Sequence, residues 1–153
     1  YGLDLAPPCS LQELIEEILR QKRLQRLRIG SVDPNEFGDS LLELCRRSPE
    51  ICRHFHIPLQ SGSDGVLARM GRPYDTAAYR LLLDKIDSAM PDAFIGTDLI
   101  AGFPGETEAE FADTCRLIES LPLADLHVFP YSLPPAPCLL PPASFTYART
   151  TRS

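Results

Sequence analysis

The chain has 153 residues, of which 44% are hydrophobic, with a mean hydropathy of −0.10: enough apolar content for one globular core and too much for a disordered chain. A formal charge of −6 and a pI near 5.0 argue against a free-standing nucleic-acid module, whose affinity rests on a basic surface, but leave RNA open as a substrate. No apolar run approaches the ~20 residues of a membrane span, the start Tyr1-Gly2-Leu3-Asp4 has no signal-peptide character, and the five cysteines form no C-x-x-C pair. A cytoplasmic protein with incidental thiols and no membrane partner is expected.

Ser10 and Glu13 form a capping box, and Leu11, Leu14, Ile15, Ile18 and Leu19 follow at the spacing of one helical face, predicting a helix over 10–23. The basic run Arg20, Lys22, Arg23, Arg26 and Arg28 reads as a solvated helix end. Residues 27–32 alternate and stop at Asp33-Pro34, as a strand does before a turn. A helix over 39–47, a strand over 54–60 and a short helix from Asp64 through Met70 come next. A helix over 76–89, a strand over 93–100, a helix over 107–121 and a last strand over 126–131 complete the pattern.

Alternating strands and helices are the signature of a parallel sheet with crossover helices. Four strands are too few to close a barrel, so the expectation is an α/β fold forming one arc of a (β/α) barrel. The pattern occupies residues 1–132. From Leu133 onward the sequence turns proline-rich and aperiodic, and a disordered tail over 133–153 is expected, either a linker or the product of a shifted reading frame.

In such folds ligands bind where strands end. Those ends carry Ser31 and Asp33, then Gln60, Ser61 and Ser63, then Asp98 and Glu106, then Tyr131 and Ser132. A rim of amide, hydroxyl and carboxylate groups suits a ribose, an amino group or an adenine edge. Ser61, Ser63 and Thr107 read best as caps and turn formers, whereas Gln60 and Asp98 end apolar strands and read as functional. In Thr97-Asp98-Leu99-Ile100-Ala101-Gly102-Phe103-Pro104-Gly105-Glu106-Thr107, the glycines permit close approach to the backbone. His54 and His56 point to the same face of their strand, but no third ligand stands at a suggestive spacing, so no metal site is expected. Arg72 is placed to clamp a carboxylate, with a solvated charge as the plain alternative.

Four segments, Arg28-Ile29-Gly30-Ser31-Val32-Asp33-Pro34, Cys52-Arg53-His54-Phe55-His56-Ile57-Pro58-Leu59-Gln60-Ser61-Gly62-Ser63, Met70-Gly71-Arg72-Pro73-Tyr74 and Asp98 through Thr107, occur in this order in radical S-adenosylmethionine (radical SAM) methylthiotransferases, which the chain resembles over residues 1–132. The closing Leu126-His127-Val128-Phe129-Pro130-Tyr131-Ser132 resembles the branch acting on threonylcarbamoyladenosine in tRNA. The resemblance implies a partial radical SAM barrel that uses SAM and a [4Fe-4S] cluster to make a 5′-deoxyadenosyl radical and, with a second cluster, inserts a methylthio group into tRNA. It also implies that Gln60 and Arg72 hold the ribose or carboxylate of SAM, that Asp98 faces the ribose, that Ile100, Gly102 and Glu106 lie along the adenine, and that Ser31 lines the same rim.

The chain departs from the family in lacking the C-x-x-x-C-x-x-C motif that ligates the radical cluster. It is therefore expected neither to bind iron nor to cleave SAM, and no residue is assigned a catalytic role. The chain reads as the middle of an enzyme whose barrel is completed by missing segments or a second chain. A non-catalytic remnant or SAM-like small-molecule binding domain is the alternative. A non-redox phosphate-binding barrel has only Pro104-Gly105 in its favour.

Overall fold

The computed structural model describes residues 1–2 and 4–132, so the tail expected over 133–153 lies outside the described residues. Eight elements follow one another: α1 (Leu11–Arg20), α2 (Asp39–Arg47), β1 (His54–His56), α3 (Asp64–Arg69), α4 (Thr76–Ala89), β2 (Phe94–Ala101), α5 (Glu108–Glu119) and β3 (Asp125–Pro130). All three strands run parallel in the order β1-β2-β3, each joined to the next by a crossover containing helix. Capping decides several boundaries. Ser10 and Thr107 each close a complete capping box, and Asp75 caps α4 through Ala78 N–H, which leaves Thr76 as the first helical residue.

The strand expected over 27–32 is present only as isolated parallel bridges, Leu27 to Ile51 and Ser31 to His56. Four steps on one side face five on the other. The extra residue throws the ladder out of step, so no continuous strand forms. Similarly, the strand expected over 54–60 is regular only through His56 and resumes pairing at Gln60.

Alternation along the strands sorts the two faces. Phe55, Ile57, Leu59, Ile95, Thr97 and Leu99 point into the core, against Leu41 and Leu44 of α2 and Tyr79, Leu83 and Ile86 of α4. Each fully buried aliphatic side chain contributes about 1.5–3 kcal/mol relative to exposure. His54, His56 and Asp98 occupy the opposite, partly exposed face. The edge strand β3 is exposed along its whole length, with Val128 56% and Phe129 52% accessible, because among the described residues only β2 pairs with it. No helix among the described residues is long and apolar enough to cross a membrane.

Candidate functional site on the open face of the sheet

A break in the ladder shapes the end of β1. His56 is level with Gly96, yet Gln60 is level with Leu99, so β1 carries one residue more than β2 over this stretch. The extra residue falls around Pro58, which has no N–H to donate, and the result is a β-bulge, a feature that commonly re-aims side chains beside active sites. The side chain of Thr97 repairs it: Leu59 N–H donates to Thr97 Oγ1 at 3.0 Å, and that hydroxyl donates to the Ile57 carbonyl at 2.9 Å. The buried Tyr79 hydroxyl joins the same carbonyl at 2.7 Å, and burial pushes its pKa well up. Beyond the bulge, Gln60 has a φ of +74°, costly for any residue but glycine. Its backbone donates to the Asp98 carbonyl and accepts from Ile100 N–H, both at 2.9 Å, so Gln60, Asp98 and Ile100 are brought together at the carboxyl ends of two neighbouring strands.

Lower on the same face a chain of side chains crosses the sheet. Ser31 Oγ lies 2.8 Å from His56 Nδ1, His56 Nε2 lies 3.0 Å from Asp98 Oδ1, and the same oxygen lies 3.2 Å from His127 Nδ1. His127 Nε2 is in turn 3.2 Å from Asp125 Oδ2. Register accounts for the arrangement. Asp98 is level with His127, and Gly96, level with His56, leaves the imidazole room to reach along β2; a Cβ there would stand 3.2 Å from His56 Cδ2. A cavity of about 440 Å³ opens beside this row, lined among others by Arg28, His54, His56, Gly96, Asp125 and His127. His54 takes a different course, stacking on Phe94 with ring centroids 4.6 Å apart and pairing with Arg28. Burial and then the Arg28 charge lower its pKa.

The loop after β2 is closed from within. Gly102, at φ +76°, donates its N–H to Glu106 Oε2 at 2.7 Å, and Gly105 also has positive φ, at +78°. One oxygen of Glu106 therefore fastens the loop backbone. Phe103 packs edge-on to Tyr131 at 5.2 Å, tying the loop to the residue after β3. Beneath the loop, Arg69 makes a two-pronged pair with Glu110 at 2.9 and 3.0 Å and reaches the Gly105 carbonyl. The Arg69 guanidinium, followed by Thr107 N–H, lowers the Glu110 carboxyl to about 2.

Arg72 lies apart from that row, at the turn after α3, with its backbone N–H held by the Leu67 carbonyl. Its Nε is buried without a hydrogen-bond partner among the described residues. The Tyr74 hydroxyl, two residues on, bonds the Pro58 and Leu59 carbonyls at 3.2 Å, and burial pushes its pKa up. Of the residues singled out from sequence, Ser31 and Asp98 thus meet through His56, Gln60 meets both Asp98 and Ile100 through backbone, and Gly102 pairs with Glu106. His56 and His127 were missed as partners of Asp98. The i, i+2 histidines were legible, but the third residue comes from another strand, and only the register between strands reveals it.

The family model for the radical SAM superfamily matches residues 8–118. The chain is 42% identical over 132 residues to the tRNA-2-methylthio-N(6)-dimethylallyladenosine synthase of Parafrankia sp., covering 86% of this chain and 27% of that protein. It is 40% identical, again over 86% of its length, to the threonylcarbamoyladenosine tRNA methylthiotransferases MtaB of Thermotoga maritima and Bacillus subtilis, covering 30% and 29% of them. It therefore spans under a third of the length of these curated relatives. On that family match, over most of its length and consistent with its parallel crossover units, this chain belongs to the radical SAM superfamily, and its relatives are tRNA methylthiotransferases.

Proposed function

We propose that the chain is an arc of the catalytic barrel of a tRNA methylthiotransferase, with SAM lying across the carboxyl ends of β1 and β2. The observation that carries this reading is the convergence of Gln60, Asp98 and Ile100 at one rim by way of a bulge and a positive φ, a strain of the kind that persists at ligand sites. Three further features suit the cofactor. Asp98 Oδ2 has no protein partner among the described residues and remains free for a ribose hydroxyl. The buried Nε of Arg72 is an unused donor for a carboxylate. A Cβ at Gly102 would meet nothing within 4 Å, leaving an open backbone surface for an adenine edge. When bound, SAM would supply the radical precursor, and the residues named here would position it.

The described thiols do not fit a [4Fe-4S] cluster. Cys9, Cys45, Cys52 and Cys115 are free and stand on four separate segments, and burial pushes the Cys45 thiol up to about 11, away from the thiolate that iron requires. No step is assigned through a cluster on this chain. tRNA is the substrate class that the relatives' names support. We assign threonylcarbamoyladenosine as the modified nucleoside on the segment from Leu126 to Ser132, and the dimethylallyladenosine-named relatives define the competing product.

Calorimetry with SAM tests the binding half of the reading: the chain binds it, and Asp98→Ala and Arg72→Ala weaken binding at least tenfold. Grafting residues 1–132 in place of the matching stretch of the Thermotoga relative tests the rest, read by mass spectrometry of tRNA nucleosides. A 2-methylthio group on threonylcarbamoyladenosine supports the proposal. A folded graft that leaves tRNA unmodified overturns it, and a methylthio group only on dimethylallyladenosine overturns the choice of nucleoside.

A further inference from the structure

We propose that His56, Asp98 and His127 form a binding site for one divalent transition-metal ion of the zinc class, distinct from any iron-sulfur centre and sharing Asp98 with the proposed SAM rim. Each residue offers one ligand atom, and the three atoms lie within 4.8 Å of one another. Ligand atoms bound at about 2.0–2.2 Å sit roughly 3.0 Å apart at a right angle and roughly 3.4 Å apart at a tetrahedral angle. Asp98 Oδ1 is 3.0 Å from His56 Nε2 and 3.2 Å from His127 Nδ1, both inside that range, and a cation would draw the two imidazole nitrogens, which lie within 4.8 Å of each other, together around it. Two imidazoles and one carboxylate suit zinc, iron(II) or nickel rather than magnesium or calcium.

Two independent features point to a cation. The first is the outer shell. A ligating histidine must keep its proton on the other ring nitrogen and give it to an oxygen, which fixes the tautomer. His56 Nδ1 has Ser31 Oγ at 2.8 Å for that purpose, and His127 Nε2 has Asp125 Oδ2 at 3.2 Å. Both rings are thus already supported on the side away from the proposed ion. The second is charge. His127 stands between two carboxylates, Asp98 and Asp125, and a neutral imidazole has one N–H for the pair. A cation on Nδ1 satisfies Asp98 and leaves the remaining N–H for Asp125. Arg28, the one guanidinium lining the adjoining cavity, is engaged by His54. That cavity leaves the remaining coordination positions open to water or to a substrate oxygen or nitrogen.

Asp98 Oδ1 is the ligand atom here and Oδ2 the group assigned to SAM, so the two readings use different oxygens and are tested separately. The untagged 153-residue chain, thiols alkylated and no SAM present, is titrated with Co²⁺ and followed by its visible absorption bands, with Zn²⁺ as competitor. The expected result is one Co²⁺ per chain, displaced by Zn²⁺. Asp98→Asn and His127→Ala should weaken binding at least 100-fold, Ser31→Ala by about tenfold through the outer shell, and His54→Ala not at all. His127 lies on the exposed edge strand, so its loss spares the core, and circular dichroism checks the fold of each variant. A readout without mutation is long-range ¹H–¹⁵N NMR of the imidazoles: Zn²⁺ should move His56 Nε2 and His127 Nδ1 and leave His54 in place. Absence of stoichiometric binding, equal binding by folded Asp98→Asn, or shifts confined to His54 overturns the proposal and leaves a hydrogen-bonded relay.

Discussion

Thr97→Val isolates the energetics of the bulge that shapes the rim. The replacement keeps the volume and the β-branch, and removes one hydroxyl from a fully buried position. In the native protein Thr97 Oγ1 accepts from Leu59 N–H at 3.0 Å and donates to the Ile57 carbonyl at 2.9 Å. Without it, the Ile57 carbonyl keeps the Tyr79 hydroxyl at 2.7 Å, but Leu59 N–H is left orphaned in a residue with no exposure. An unsatisfied buried donor costs about 1–3 kcal/mol, so a loss of ~2 kcal/mol is expected. Tyr79→Phe is the comparison. It removes a donor from a carbonyl that retains Thr97, orphans nothing, and should cost about 1 kcal/mol, the net worth of an ordinary hydrogen bond. Urea unfolding at constant m-value measures both, and the thermal midpoint of Thr97→Val should fall by about 4–8 °C for a chain of this size. Amide exchange at Leu59 should accelerate more than exchange at its neighbours. A Thr97→Val loss under ~0.5 kcal/mol, or a larger loss for Tyr79→Phe, would refute the claim that a side chain replaces the missing ladder bond.

Gln60→Gly should stabilise the fold by about 1 kcal/mol in urea unfolding, since glycine tolerates the φ of +74°, while weakening SAM binding; a destabilised variant would show that the amide is part of the packing. Gly62→Ala should cost about 1–3 kcal/mol, because its Cβ would stand 2.5 Å from Thr114 Cα and force α5 outward; a neutral substitution would mean that α5 moves freely. Acid should erode the Arg69–Glu110 pair with a defined sign. The folded carboxyl sits near 2 against an ordinary 4.5, so its stabilisation is complete above pH about 4.5 and is lost as the pH falls toward 2. The gap in thermal midpoint between the native chain and Glu110→Gln should therefore close across that window, and a gap independent of pH would exclude the pair as its source.

Most local structure follows from short-range chemistry. The Ser-x-x-Glu and Thr-x-x-Glu boxes start α1 and α5 where the sequence predicts, the apolar spacing fixes the helix faces, and glycine at 102 and 105 marks positive-φ positions. The parallel order of the strands is equally legible, because each crossover contains a helix and crossovers join parallel neighbours. The broken edge strand over 27–32, the bulge at Pro58 and the meeting of His56, Asp98 and His127 are not. Each depends on how many residues one strand sets against another, a quantity summed over long connections and decided by packing. His56 and Asp98 are 42 positions apart and Asp98 and His127 are 29 apart, so no local pattern links them. One residue of slip would turn an imidazole to the other face of the sheet. Residue chemistry thus names the groups available to the site, and the tertiary register selects which of them share one oxygen.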